Sequence, residues 1–247
     1  MIRALRRRRL VAVLALVGPG LIAANAGNDA GGIATYASVG AKYGYDLLWM
    51  MVVITVSLIV VQEMAARMGA VTGKGLAELI REEYGVRWAF FSTASVLVAN
   101  LGICISEFVG IGAALSLAHI PVQVSVPIAA VCVWLLLVRG TYKTAERIFI
   151  VMTIPFFAYP IAAVLAHPDW GDVGHSIVAP HIQTSPSYVL LFVATAGTTI
   201  TPFMQLYLQS AVVERGLGPE DLNKERVEVV SGSIFANLIA SFIIIAT

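Results

Sequence analysis

Long apolar runs separated by short polar stretches recur along the whole sequence. Most of these runs approach the length of about 20 residues that an α-helix needs to cross a bilayer. Because lipid offers no hydrogen-bond partner to exposed backbone groups, such runs predict transmembrane helices. We number seven predicted spans in chain order: 10–41, 47–68, 88–117, 122–138, 148–166, 188–213 and 227–247.

The last predicted span ends on apolar residues without a polar tail. We therefore expect residues 1–247 to form a single transmembrane domain that is truncated at its C-terminus. Composition agrees with a membrane protein, since 58% of the residues are hydrophobic and 13% are charged. Soluble domains usually carry about 25% charged residues. The predicted fold class is an all-α polytopic membrane protein whose surroundings are the lipid bilayer.

Basic residues predict the orientation of the spans. With the N-terminus in the cytoplasm, Lys42 is the one basic residue of sixteen that falls on the outer side. Lys and Arg concentrate in cytoplasmic loops, so this bias predicts a multi-pass protein of the cytoplasmic (inner) membrane. A net charge of +1 does not indicate a basic surface for nucleic acid, so nucleic acid is not expected as a partner.

One alternative concerns the N-terminus. Arg-rich residues 1–9, an apolar run and the Ala24-Asn25-Ala26 sequence are also typical of a cleaved signal peptide. Cleavage there would leave the first remaining span broken and would remove part of a segment with strong functional candidates.

Span one contains an unusual polar stretch, Gly27-Asn28-Asp29-Ala30-Gly31-Gly32. Glycine disfavours helix by about 1 kcal/mol per residue, and Asn and Asp compete for backbone partners. A carboxylate at this depth is also costly, roughly 2.5 kcal/mol or more on insertion scales. Irregular backbone inside a membrane occurs where it is buried in protein or lines a cavity. We predict a helix break over 27–32 with Asp29 as a cation ligand.

Span six repeats this pattern. Gly197 and Pro202 flank several threonines, and proline removes a backbone hydrogen bond, so a second break is predicted over 197–203. Two interrupted spans at corresponding positions indicate a transporter whose substrate site lies between inverted repeats.

Three further charged residues lie in or near the predicted spans. Glu107 in span three is either a proton or ion relay or a carboxylate satisfied by a neighbouring helix. Glu63 and Arg67, one turn apart near the inner end of span two, predict a paired gate or orienting contact. The glycine- and proline-containing stretch 167–175 between spans five and six is expected to be a solvated outer loop.

These features together resemble the NRAMP family of divalent metal transporters. The resemblance extends over almost the whole chain and rests on the motifs at 18–20, 62–67, 72–78, 168–171 and 207–210. It implies the leucine-transporter-like inverted-repeat fold, with the first repeat and the start of the second present. It also implies a transporter and not an enzyme, with no cofactor and with the divalent metal ion as substrate.

The resemblance also implies a set of metal-binding positions. The family signature Asp-Pro-Gly-Asn stands here as Asp29-Ala30-Gly31-Gly32, so the aspartate is kept and its asparagine partner is Gly32. In span six, Thr201 occupies the position of the metal-binding methionine, and Thr198 that of the residue whose carbonyl contacts the ion. The implied ligand positions are Asp29, Gly32, Thr198 and Thr201.

Two positions tied to proton movement in the family are also changed. The histidine position of span six is Phe203, and one acid of the span-three pair is Cys104.

The changed ligand positions affect the expected metal. Replacing the methionine sulfur by the oxygen of Thr201 favours hard ions such as Mg²⁺ and Mn²⁺, and a roomier site at Gly32 suits a partly hydrated Mg²⁺. The pattern is similar to the NRAMP-related magnesium transporters.

The leading hypothesis is therefore a carrier of Mg²⁺ first and Mn²⁺ second that is not obligatorily coupled to protons. Alternatives are a proton-coupled Mn²⁺/Fe²⁺ importer and an amino-acid or amine transporter of the same fold. An intramembrane enzyme and a purely structural membrane subunit are more distant alternatives. The sequence leaves the oligomeric state open.

Overall fold

The computed structural model describes residues 28–139 and 154–247, and its regular elements are helices. Short 3₁₀ turns at Ile154–Phe157 and Pro219–Asp221 precede the sixth and tenth α-helices. The α-helices are α1 (Ala30–Tyr43), α2 (Leu48–Thr72), α3 (Leu76–Tyr84), α4 (Val86–Ser116), α5 (Val122–Arg139), α6 (Ala158–Leu165), α7 (Trp170–Val178), α8 (Pro186–Thr199), α9 (Pro202–Glu214) and α10 (Leu222–Ala246).

Four segments of the described chain are long and apolar enough to cross a membrane. They are Leu48–Thr72, Val86–Ser116, Pro186–Glu214 and Pro219–Ala246, which correspond to predicted spans two, three, six and seven. Span four appears as α5, a shorter apolar helix, and the described part of span five contains the 3₁₀ turn Ile154–Phe157 followed by α6. The described part of span one is α1, whereas its earlier residues and the signal-peptide alternative lie outside the described residues.

Local chemistry explains how span two ends and how the connection to span three begins. Gly73 follows α2 with φ +64°, and its N–H donates to Gly69 O at 2.9 Å, a left-handed C-cap that glycine adopts without strain. The amphipathic helix α3 follows, with an ion pair of 2.6 Å between Lys74 and Glu82. The hydrogen bond to Glu82 raises the pKa of Lys74 above its ordinary value.

Residues 170–175 of the stretch 167–175 are helical, so the prediction of a loop was wrong, although most of the stretch is exposed as predicted. Asp169 caps α7, because its Oδ1 accepts hydrogen bonds from the N–H groups of Gly171 at 2.7 Å and Asp172 at 3.3 Å. Val173 is 5% exposed within the main core, and α7 packs on α2. The cap and the buried apolar side chain outweigh the low helix propensity of the two glycines.

The helices divide into a packed group and a more exposed pair. α1 and α2 pack against α10, α8 packs against α1, and α9 packs against α2. By contrast, α4 buries only Gly112 and runs beside α5, touching the packed group through α1 and α9. The start of α1 therefore lies where the packed group meets span three.

Candidate functional site

Asp29 lies at the N-terminal end of a helix that begins inside a predicted span. Its backbone is extended (φ −71°, ψ 174°), and its Oδ1 accepts a hydrogen bond of 2.5 Å from the N–H of Gly32. The next intrahelical bond runs from Ile33 N to Asp29 O at 2.9 Å. Asp29 is thus the N-cap of α1, at the end where the helix dipole favours negative charge.

On its C-terminal side, the interruption of span one ends earlier than the predicted 27–32, because α1 begins at Ala30, and its N-terminal side lies outside the described residues. Gly31 and Gly32 lie in the first turn of α1, and Asn28 lies outside the helix next to the N-cap, whereas Gly27 is outside the described residues. An N-cap bond stabilises a helix by about 1 kcal/mol, similar to the propensity cost of one glycine. Capping and packing therefore allow the helix to start within the glycine-rich stretch.

Glu107 of span three reaches the same helix end. Its Oε1 accepts a hydrogen bond of 3.2 Å from the N–H of Ala30, and its carboxylate lies close enough to Asp29 for the two charges to repel. A Cβ at Gly110 would collide with the Cβ of Ala30, so the glycine permits this close approach of α4 to α1. Two half-buried carboxylates thus face one helix N-terminus, an arrangement that favours a bound cation or a shared proton.

The interruption of span six comprises Ile200 and Thr201, and it is shorter than the prediction of 197–203. Gly197 belongs to the last turn of α8, and Pro202 is the first residue of α9. Proline suits this position because the first helical residue needs no intrahelical N–H bond, and its ring sets φ for the helix. The break therefore falls between two complete helices.

Two oxygens at this second interruption are available for a ligand. Thr201 is 4% exposed, and its Oγ1 has no hydrogen-bond partner among the described residues. Thr198 lies in the last turn of α8, where carbonyl groups lack intrahelical partners and the helix dipole favours a cation. The side chain of Thr201 and the carbonyl of Thr198 are each suited to a positive ligand.

A buried hydrogen bond connects the two interrupted spans. The Oγ1 of Thr199 donates to Thr195 O at 2.7 Å, so the hydroxyl of Tyr36 donates to Thr199 Oγ1 at 2.8 Å. Tyr36 is 1% exposed and also lies within electrostatic range of Asp29. Sequence reasoning missed Tyr36, although its spacing of seven residues from Asp29 places both on one face of α1.

Span seven adds buried polar groups that sequence reasoning also missed. Asn28 Nδ2 donates to Ala236 O at 3.2 Å, and Ser233 Oγ donates to Gln62 Oε1 at 3.2 Å. The side chain of Asn237 is 3% exposed, and its Nδ2 has no partner in the part of the chain that is described. Polar residues spaced by four within an apolar run were the available signal.

The predicted pair of Glu63 and Arg67 is present, with an N–O distance of 2.5 Å. Glu63 also binds Arg226 of span seven at 2.7 Å, so its carboxylate joins two helices. Nearby on the chain, Arg215 lies 3.5 Å from buried Glu225 and 3.6 Å from Glu228. The described ion pairs of Glu63 are with Arg67 and Arg226, and Asp29 takes no part in them.

We expect the contact between Glu63 and Arg226 to contribute little to stability, because the arginine side chain is 54% exposed. A double-mutant cycle with Glu63→Gln and Arg226→Ala, followed by thermal unfolding in detergent, should give a coupling of about 0.2–1 kcal/mol. Glu63→Gln combined with Lys224→Ala provides a control pair without a direct contact. A coupling of several kcal/mol would contradict the assignment of a solvent-screened pair.

Comparisons with known proteins identify the family of this chain. Residues 20–247 match the family model described as natural resistance-associated macrophage protein-like (Nramp). The chain belongs to the Nramp family. This confirms the resemblance inferred from the motifs.

Several relatives show the same relationship over most of this Nramp chain. The divalent metal cation transporter MntH of Deinococcus radiodurans is 30% identical over 238 residues, which cover 92% of this chain and 54% of the relative. The protein of the same name from Yersinia pestis is 32% identical over 239 residues, covering 94% and 57%. The Nramp chain thus spans about half the length of the curated relatives it matches.

A solved structure supports the fold. The manganese transporter of Eremococcus coleocola superposes with a TM-score of 0.76 at 24% identity, covering 94% of the Nramp chain and 50% of the transporter. The expectation of an all-α membrane protein with the leucine-transporter-like fold is confirmed.

Proposed function

We propose that this Nramp protein carries hard divalent cations across the cytoplasmic membrane through a site between the interruptions of spans one and six. The observation that carries the proposal is the Asp29 carboxylate, which caps a half-helix at an interruption tied to span six by the Tyr36–Thr199 hydrogen bond. The names of the MntH relatives, as divalent metal cation transporters, agree with it. The metal ion is the substrate and not a resident cofactor.

The charge balance around Asp29 favours a divalent ion. Within residues 28–139 and 154–247, neither Asp29 nor Glu107 takes part in an ion pair. Two neighbouring carboxylates without a basic partner repel each other, and a cation between them relieves this repulsion. A neutral amino acid or amine would supply at most one positive charge.

The type of ligand favours Mg²⁺ first and Mn²⁺ second. The proposed ligands are the Asp29 carboxylate, the Thr198 carbonyl and the Thr201 hydroxyl, which are all oxygen atoms and therefore suit hard cations. Gly32 contributes a backbone N–H to Asp29 and, as a glycine, adds no side-chain ligand. A small set of protein ligands suits Mg²⁺, which usually keeps several of its waters.

A proton-coupled Mn²⁺ importer is the second candidate. The contact of Glu107 with the N–H next to Asp29 favours it, because two adjacent carboxylates can share a proton once the metal leaves. The similar protein of Eremococcus coleocola is named a manganese transporter. In both candidates, Glu63 and Arg67 act in an inner gate with Arg226 and not in ion binding.

The experiment that tests the proposal is uptake of Mg²⁺ and Mn²⁺ into liposomes containing the purified protein, with internal pH recorded at the same time. We expect metal uptake without obligatory acidification, because Phe203 cannot titrate and Cys104 replaces an acid of span three. Empty liposomes provide the baseline, and Glu107→Gln separates the candidates. Acidification that depends on metal and disappears in Glu107→Gln favours the proton-coupled importer, and absence of uptake of either metal rejects both.

A further inference from the structure

Asn28 is a buried polar residue that immediately precedes Asp29. Its side chain is 3% exposed, and its Nδ2 donates to the carbonyl oxygen of Ala236 in span seven at 3.2 Å. A buried amide is unfavourable unless it is hydrogen bonded, so this contact has a structural reason to persist. It joins the interruption of span one to a helix 208 residues further along the chain.

The residues on both sides of Asp29 are held by hydrogen bonds to different helices. The Asn28 side chain contacts α10, while the N–H of Ala30 contacts Glu107 of α4. Since α1 packs against both α10 and α4, these two bonds hold the backbone of Asp29 between span seven and span three. The direction in which the Asp29 carboxylate leaves the backbone therefore depends on the anchor of Asn28.

A second set of bonds makes this orientation specific. The N-cap bond from Gly32 to Asp29 Oδ1 fixes the carboxylate relative to α1 but makes no contact with a neighbouring helix. The bond from Asn28 to Ala236 attaches the helix start to span seven, and the bond from Ala30 to Glu107 attaches it to span three. Cation sites need ligands held in place by such supporting hydrogen bonds.

We propose that Asn28 is a positioning residue of the cation site, which holds the Asp29 carboxylate in its binding orientation through span seven. The inference rests on the proposed function of Asp29 and adds a residue that acts through it. Movement of span seven would then change ion affinity directly, because the anchor of Asn28 is a backbone carbonyl of that helix.

The test is Asn28→Leu in the purified protein, with Mn²⁺ and Mg²⁺ binding measured by calorimetry and uptake kinetics measured in liposomes. We expect Kd and KM for both ions to rise about tenfold, as is typical when a supporting hydrogen bond is removed from a metal site. The maximal rate should change much less, because Asp29 itself remains. Asn28→Gln retains the amide donor and should bind more tightly than Asn28→Leu.

Ser233→Ala is the matched control. It removes a buried hydrogen bond of the same length, 3.2 Å, between span seven and Gln62 of span two, in which neither Asn28 nor Asp29 takes part. We expect it to leave Kd close to that of the wild type. If Asn28→Leu does not give a monodisperse protein, Asn28→Ala carries the same expectation relative to Asn28→Gln.

Wild-type Kd in the Asn28 variants, or an equal loss in Ser233→Ala, would overturn the positioning role. The outcome for Asp29→Asn separates this failure from that of the proposed function. Loss of binding in Asp29→Asn with normal binding in Asn28→Leu rejects only the role of Asn28. Normal binding in both variants rejects the cation site itself.

Discussion

Replacing Asp29 by asparagine is expected to abolish uptake of Mg²⁺ and Mn²⁺ while leaving the protein folded. Asparagine caps helices as well as aspartate does, so its Oδ1 can still accept the N–H of Gly32 and α1 should keep its start. The full negative charge that we propose for the first coordination shell is lost. Neutralising an acid within the membrane does not disfavour insertion, so the expected loss is specific to ion binding.

The measurement is radiotracer or dye-based uptake in liposomes, with size-exclusion chromatography as the check of folding. Asp46→Asn is a matched control, because Asp46 is a part-buried acid that bonds Gln183 Nε2 at 3.0 Å outside the two interruptions. We expect this control to transport at the wild-type rate. Undiminished flux in Asp29→Asn would exclude Asp29 as a ligand.

The double variant Thr201→Met with Gly32→Asn is expected to move selectivity from Mg²⁺ toward Mn²⁺, Fe²⁺ or Cd²⁺. A thioether binds softer metals, and the added amide reduces the space for a hydrated ion. The Thr201 hydroxyl has no partner among the described residues, so its removal leaves no neighbouring group unsatisfied. The larger Met side chain lowers the free energy of unfolding by about 1–3 kcal/mol if it overpacks a buried site. Size-exclusion chromatography of the variant therefore checks that it is folded.

Competition by Cd²⁺ against Mg²⁺ uptake measures this change. Cd²⁺ should inhibit the double variant at lower concentration than the wild type, and Thr201→Met alone should give an intermediate result. Thr201→Val is the control that removes the oxygen without adding sulfur, and it should weaken Mg²⁺ uptake without strengthening Cd²⁺ inhibition. The same Cd²⁺ sensitivity in the wild type and the double variant would mean that Thr201 and Gly32 do not face the ion.

Proton coupling is a point on which the sequence and the tertiary structure favour different predictions. Phe203 and Cys104 stand at two positions that the family resemblance ties to proton movement, which predicts uncoupled transport. The structure brings Glu107 to the same helix end as Asp29, and this contact supports the proton-coupled alternative. Residue identity alone could not decide the distance between the two acids, because they lie 78 positions apart in the sequence.

Local sequence determined the described helical spans, the helix start at Asp29 and the interruption of span six. Apolar runs must form helices in lipid. Asp29 marks the start of α1 because its side chain caps the first turn, and Pro202 marks the start of α9 because its ring sets φ for a helix. The extent of each interruption was not predictable in this way. Small propensity differences at Gly31, Gly32 and Gly197 are overcome by capping and by packing against other helices.

Only the tertiary structure decided which polar groups meet. Tyr36 and Thr199 are 163 positions apart, as are Glu63 and Arg226, and Asn28 lies 208 positions from Ala236. Hydrogen bonds and ion pairs of this kind depend on which helix faces are packed together, and no pattern within one helix specifies its neighbour. The sequence by itself therefore determined where the proposed cation ligand lies in the chain, and the packing of spans one, three, six and seven decided which groups surround it.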